Sequence, residues 1–287
     1  MGSGNTSFAT HSGIGIYTHA GVTRDNARMP KQPPPHGTCA LCLEPAVLQR
    51  SHIIPEWLYK PLYDKKHKFT QVYADPGQHH TYHQKGLREY LLCEKCEQQF
   101  SRYEDYGVRA LHGEMGVTAH REGAELHLKN LNYRTFKLLQ LSILWRASVS
   151  TLPSFKDVKL GPHQETLRRM LRDEDPGPSH KYGCLILIPW FEGEIVNELI
   201  ATPTYDKFDG MAIWRFVFAG MAWLYAVSNR QPVKEICDQF LQENNTAIMR
   251  YLDVHDIRFI IGGIKHMIKL GKIPEYMMAC AKQDRQD

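Results

Sequence analysis

Three patterns in the 287 residues predict an α+β fold. Two short cysteine pairs, Cys39-Ala-Leu-Cys42 and Cys93-Glu-Lys-Cys96, bracket the extended run Arg50-Ser51-His52-Ile53-Ile54-Pro55. Beyond residue 116 no cysteine pair recurs, and Phe136, Leu139, Ile143 and Ala147 repeat at helical spacing. Two apolar runs, Tyr182 to Ile188 and Glu194 to Thr202, flank Phe191-Glu192-Gly193 and read as a hairpin. Together these give an N-terminal ββα unit pinned by a metal, followed by a mostly helical region with a small antiparallel sheet.

Each element has its own reason. Residues 1–36 are rich in Gly, Ser, Thr and Asn and end in Lys31-Gln32-Pro33-Pro34-Pro35, a composition that cannot offset the entropy of ordering, so a flexible arm is expected. Residues 37–115 form the cysteine-bracketed unit: Ala46 to Ile54 is extended and stopped by Pro55, Gly86 to Leu92 is a second extended run, and Glu97 to His112 is helical with Gly113 as its stop. Residues 116–287 form a second α+β domain whose role the residues do not disclose. Helices are expected over Leu131 to Val149, Gln164 to Leu171, Val233 to Leu252 and Asp253 to Leu270. Met211 to Ser228 is nearly all apolar, but Arg215 lies inside it. A buried strand over Ala212 to Phe218, with a new element starting at Gly220, avoids placing that charge in lipid, so no membrane span is expected.

Composition sets the outer bounds. With 43% hydrophobic residues the chain can bury a sizeable core, and a formal charge of +4 permits an anionic partner without demanding one. The seven cysteines divide into the two pairs and the isolated Cys184, Cys237 and Cys280. That odd count, with no charged-apolar-small order at the N-terminus, is read as a reduced, cytoplasmic setting.

The cysteine spacing carries the chemistry. Each Cys-x-x-Cys turn can aim two sulfurs at one point, so Cys39, Cys42, Cys93 and Cys96 suit one tetrahedral, structural zinc. A redox pair would instead open a helix in a βαβ context. In the long insert, Tyr59, Tyr63 and Phe69 interleave with Lys60, Lys65, Lys66, His67 and Lys68, and Lys85 and Arg88 follow just before the second strand. Lys65, Lys66, Lys68, Lys85 and Arg88 are the candidate nucleic-acid contacts. His79, His80 and His83 cluster, and 79 with 83 would share the face of a helix able to hold a metal. Trp145, Trp190, Trp214 and Trp223 lie in apolar patterns and read as core.

The order of knuckle, strand, insert, strand, knuckle and helix resembles the zinc-containing HNH, or ββα-metal, nucleases over residues 37–115. His52-Ile53-Ile54-Pro55 matches the run that supplies that family's general base. The resemblance implies a DNA endonuclease in which His52 takes a proton from water and one Mg²⁺ or Mn²⁺ ion stabilises the leaving oxygen. It implies Ser51 and Glu97 as the ligands of that ion, with Glu97 also a catalytic residue. Three positions depart from the family: Ser51 stands for an Asp or His, Arg88 for an Asn, and Glu97 for the last His. On a helix starting at Glu97, Ser101 and Glu104 share its face, which makes Glu104 a second candidate ligand. The competing expectation is an inactive zinc-stabilised module that binds nucleic acid or protein. In the nuclease reading residues 116–287 would recognise substrate or partner or control access to the site, and a protein partner or oligomer is expected to form through them.

Overall fold

The computed structural model describes residues 16–18, 33–72, 81–197 and 199–269. Strand β1 is Ile16–Thr18, and β2 (His36–Thr38) and β3 (Pro45–His52) form a short antiparallel pair whose turn carries the first cysteine pair. A 3₁₀ helix, Glu56–Leu62, follows Pro55, and β4 (Phe69–Val72) and β5 (Thr81–His83) occupy the insert. Strand β6 (Arg88–Cys93) returns antiparallel to β3 and runs directly into α1 (Glu94–Leu111). The expected strand, strand and helix are therefore present, with boundaries moved by a few residues.

Next come β7 (Thr118–Glu122), β8 (Glu125–Lys129), α2 (Tyr133–Val149), α3 (His163–Arg172), β9 (Cys184–Phe191) and β10 (Glu194–Ile195). The chain continues through β11 (Ile200–Phe208), β12 (Met211–Phe218), β13 (Met221–Val227), the single turn α4 (Lys234–Cys237), β14 (Ala247–Asp253) and α5 (Arg258–Lys269). This corrects the expected architecture. Residues beyond 116 are not mostly helical but supply most of an 11-stranded mixed sheet ordered β5-β4-β1-β11-β12-β13-β9-β14-β8-β7, with β10 beside β9. The helix expected over Val233 to Leu252 is one turn followed by a strand, and Asp253 to Leu270 is reduced to α5. Three residues of the expected arm form β1, which bridges β4 and β11.

The reason lies in how the sheet is covered. Along β12, Phe216 and Phe218 join the main core while Val217 joins a second cluster, and along β9 Ile186 and Leu187 divide the same way. Strands buried on both faces read as unbroken apolar runs with no period of two, so sequence alone does not distinguish them from helix. Main-chain chemistry does mark the reversals. Asp209-Gly210 and Ala219-Gly220 both have positive φ at two successive residues, 48° and 72°, then 51° and 72°, which suits the two-residue turns joining β11 to β12 and β12 to β13.

Helix α2 fills one face of the sheet. Its N-cap Asn132 accepts from the Thr135 amide at 2.9 Å, and fourteen of its 17 residues are buried, so it behaves as an interior helix rather than an amphipathic one. Phe136 stacks on Trp223 of the sheet at 6.2 Å, while Trp145 meets Phe100 of α1 edge-on at 6.0 Å. The opposite face of the sheet is covered by Ile257, Ile260 and Ile264 at and within α5. One continuous core thus runs from Cys39 and Leu92 to Trp145 and Trp223. Trp145, Trp214 and Trp223 are buried as expected for core, while Trp190 is partly exposed. Among the described residues no helix is long and apolar enough to cross a membrane.

Candidate functional site

The two cysteine pairs meet. Cys39 and Cys42 sit in the turn before β3, closed by bonds from the Cys39 amide to Glu44 O and from the Leu43 amide to Cys39 O, both 2.9 Å. Cys93 ends β6 and is the N-cap of α1, whose first turn carries Cys96. All four sulfurs lie within 4.8 Å of one another, and Cys42 Sγ is 3.9 Å from Cys93 Sγ. A tetrahedron with metal–sulfur bonds of about 2.3 Å has edges of roughly 3.8 Å, so the four cysteines can hold one metal ion. Burial raises the Cys96 thiol, and neighbouring sulfurs raise it further. Losing that proton therefore needs a cation at the centre of the cluster.

The strand end beyond this cluster carries the rest. Past a bulge at Gln49/Arg50, the register pairs Arg50 with Tyr90, Ser51 with Glu89 and His52 with Arg88. Strand alternation then sends Arg50, Tyr90, His52 and Arg88 to one face and Ser51 with Glu89 to the other. On the packed face Ser51 is wholly buried and its hydroxyl donates to Glu97 of α1, while Glu89 accepts from the Thr151 amide and hydroxyl. Glu104, two turns on from Glu97, is not free to bind an ion: it pairs at 2.7 Å with Arg146 of α2, whose Nη1 also donates to His52 O at 2.6 Å. Ser101, the third member of the expected face, is exposed.

On the open face His52 meets a residue that sequence reasoning missed. Its Nε2 lies 2.8 Å from Glu56 Oε2, four residues on and in the first turn of the 3₁₀ helix. The approach is close but off the axis of a straight hydrogen bond. Glu56 is fixed from two other sides, accepting from Tyr63 OH and from the Gly86 amide at 2.8 Å. The second contact requires glycine: a Cβ at residue 86 would stand 2.5 Å from the Tyr59 ring. Burial raises the Glu56 carboxyl, but the adjoining His52 ring and the hydrogen bonds from Tyr63 and the Gly86 amide outweigh that and bring it down to about 2. The same burial and the adjacent carboxylate push the Tyr63 phenol up. Arg88 is lowered by burial and then by the like charge of Arg50.

The depressed Glu56 value makes a prediction. Because the folded carboxyl titrates below the unfolded value of 4.5, its stabilisation is fully present above that pH and is lost as pH falls toward about 2. Glu56→Gln should therefore melt below wild type at pH 6, with the gap narrowing on acidification to about pH 3. A gap that stays constant across that range would contradict the assignment.

The insert residues divide. Lys65, Lys66 and His67 are exposed, Lys68 is partly so, and the His67 ring stacks on Tyr63 at 3.9 Å. Through Tyr63 this turn is tied to Glu56 and His52. Lys85 is exposed just before Gly86. His83 is in a strand rather than a helix, with Nε2 2.9 Å from Gln71 Oε1, which removes the expected helical metal face; His79 and His80 lie outside the described residues. No family model, curated protein or solved structure matches this chain. The site is therefore interpreted from its own chemistry.

Arg50 was visible in the sequence two residues before His52, and strand alternation would have placed the two together. Glu56 stood at His52+4, but the intervening Pro55 signalled an end to the strand and gave no reason to expect a return contact. Tyr90 carried no signal. Arg146 did carry one: a permanent cation among the apolar residues Ile143, Leu144, Trp145 and Ala147 requires a buried partner.

Proposed function

We propose that this protein hydrolyses phosphodiester bonds of nucleic acid, DNA in the first instance, with His52 as general base and a structural zinc in the four-cysteine cluster. The observation that carries the reading is the His52–Glu56 pair on an open face flanked by Arg50 and Arg88. A carboxylate only accepts, so the imidazole nitrogen beside Glu56 holds the proton and Nδ1 is left with a lone pair. Nδ1 takes the proton from water as the water oxygen bonds to phosphorus, the bond from phosphorus to the departing sugar oxygen breaks and that oxygen takes a proton from solvent, while Glu56 stabilises the imidazolium that forms. Arg50 and Arg88 repel each other when no anion is present, and a phosphate between them removes that repulsion while its developing charge is met by guanidinium donors. Zinc fits the cluster because four thiolates make a closed, soft, tetrahedral donor set.

The catalytic Mg²⁺ or Mn²⁺ implied by the resemblance fits poorly. Ser51 is a neutral donor buried on the packed face and already bonded to Glu97, and Glu104 is paired with Arg146. A hard divalent ion needs one or two carboxylates together with substrate oxygens, and Ser51, Glu97 and Glu104 do not offer it that set. The same observation favours the second reading, a binding module that retains the scaffold without cleavage.

The test uses plasmid, single-stranded DNA and RNA with Mg²⁺, Mn²⁺ or chelator. His52→Ala is expected to lower the cleavage rate about 10²–10⁴-fold, the usual worth of a positioned base. Cleavage unchanged in that variant would refute His52 as base, and binding without cleavage under every ion would select the module.

A further inference from the structure

We infer that the open face of β3 and β6 takes single-stranded nucleic acid, with an unpaired base on Tyr90 and the adjoining phosphates on Arg50 and Arg88. The inference rests on the nucleic-acid part of the reading above but not on cleavage. Arg50 and Tyr90 are cross-strand partners beyond the bulge, and His52 and Arg88 are the next pair on the same face, about 6.8 Å further along the strands. Tyr90 is 38% exposed, and the Arg50 guanidinium lies 5.8 Å from the centroid of its ring. This cation–aromatic pair at the surface can stack on a base and hold its phosphate at the same time.

Charge on this face is cationic once neighbours are counted. Glu56 is occupied by His52, Tyr63 and Gly86, and Glu89 is turned to Thr151 on the packed side. Exposed Lys85 extends the cationic edge, and the Tyr63–His67 stack with Lys65 and Lys66 offers a second aromatic and basic step joined to the site through Glu56. Duplex DNA would gain only the phosphate contacts from Arg50 and Arg88, because its base faces are stacked on their neighbours and closed to the Tyr90 ring. A single strand gains both contacts. DNA and RNA share this chemistry, and separate arms of the test distinguish them.

The test is fluorescence anisotropy with labelled 20-nucleotide DNA, the same sequence as RNA, and its DNA duplex, at one salt concentration. The wild-type chain without added divalent ion and His52→Ala are measured side by side, so that cleavage does not enter the readout. At least one single strand should bind about 10-fold or more tightly than duplex. Tyr90→Ala should weaken single-strand binding on the order of 5- to 100-fold with little change for duplex, and Tyr90→Phe should retain it. Thermal melting of both variants checks that the fold is intact. Duplex binding as tight as either single strand, or Tyr90→Ala within about 2-fold of wild type, would overturn the inference even if the protein proves to cleave DNA. A preserved Tyr90 effect with no cleavage would uphold it and sink the hydrolase.

Discussion

Cys93→Ser is expected to empty the metal cluster and to destabilise the ββα unit without unfolding it. Cys93 holds two roles at once, as a thiol of the cluster and as the residue that opens α1 from β6. A serine oxygen is a poor replacement for a soft thiolate, and the other three thiols would then lie close together without the ion that lets them ionise. Apparent binding free energies for structural zinc in small peptides are about 10–16 kcal/mol, which is the upper bound here. Part of that is retained, because Leu48, Leu92 and Phe100 belong to the same core as Trp145 and Trp223 and remain packed when the metal leaves. The expected result is one metal per chain in the wild type, none in the variant, and a melting temperature lower by more than 10 °C, on the order of several kcal/mol. Elemental analysis and calorimetry check both. Unchanged metal content with unchanged melting would show that the sulfurs gather for packing alone.

Arg146→Met is expected to be the most costly single change outside the cysteines. The guanidinium is 1% exposed and donates to Glu104, His52 O, Ser142 O and Ser142 Oγ while lying over the Phe100 ring at 5.3 Å. Removing it leaves the carboxylate and the His52 carbonyl without their donor, and breaking such a buried pair costs about 3–5 kcal/mol. Glu104 retains some solvent contact, so Glu104→Gln should cost less, and the double variant Arg146→Met/Glu104→Leu should recover part of the loss. Urea denaturation of the four proteins measures each loss. A loss below about 1 kcal/mol in the single Arg146 variant would mean that water replaces the lost donor.

How much of this was legible depended on whether an element has a signature of its own. The cysteine turns were legible because ligand spacing is local, and β3, β6 and α1 followed from the residues that stop them. The Ser51–Glu97 contact follows from the same register, although it is a hydrogen bond between a buried hydroxyl and a carboxylate. The large sheet was not legible. β9, β12 and β13 are apolar on both faces, β7 is exposed throughout, and β14 lies parallel to β9, a pairing that no turn sequence announces. The Asp209-Gly210 turn was the one local clue that the strand begun near residue 200 continues well past Thr202. Glu56 and Tyr90 were hidden for a different reason: one is brought back by a 3₁₀ turn after proline, the other by a bulge that shifts the pairing.

The reach from Arg146 back to the carbonyl of His52 spans 94 residues. A ribosome adding about 5–20 residues per second needs roughly 5–20 s to cover that interval. The fourth cysteine, Cys96, is synthesised before Arg146, so the chain completes a segment able to hold an ion before it supplies the arginine that fixes the backbone at His52.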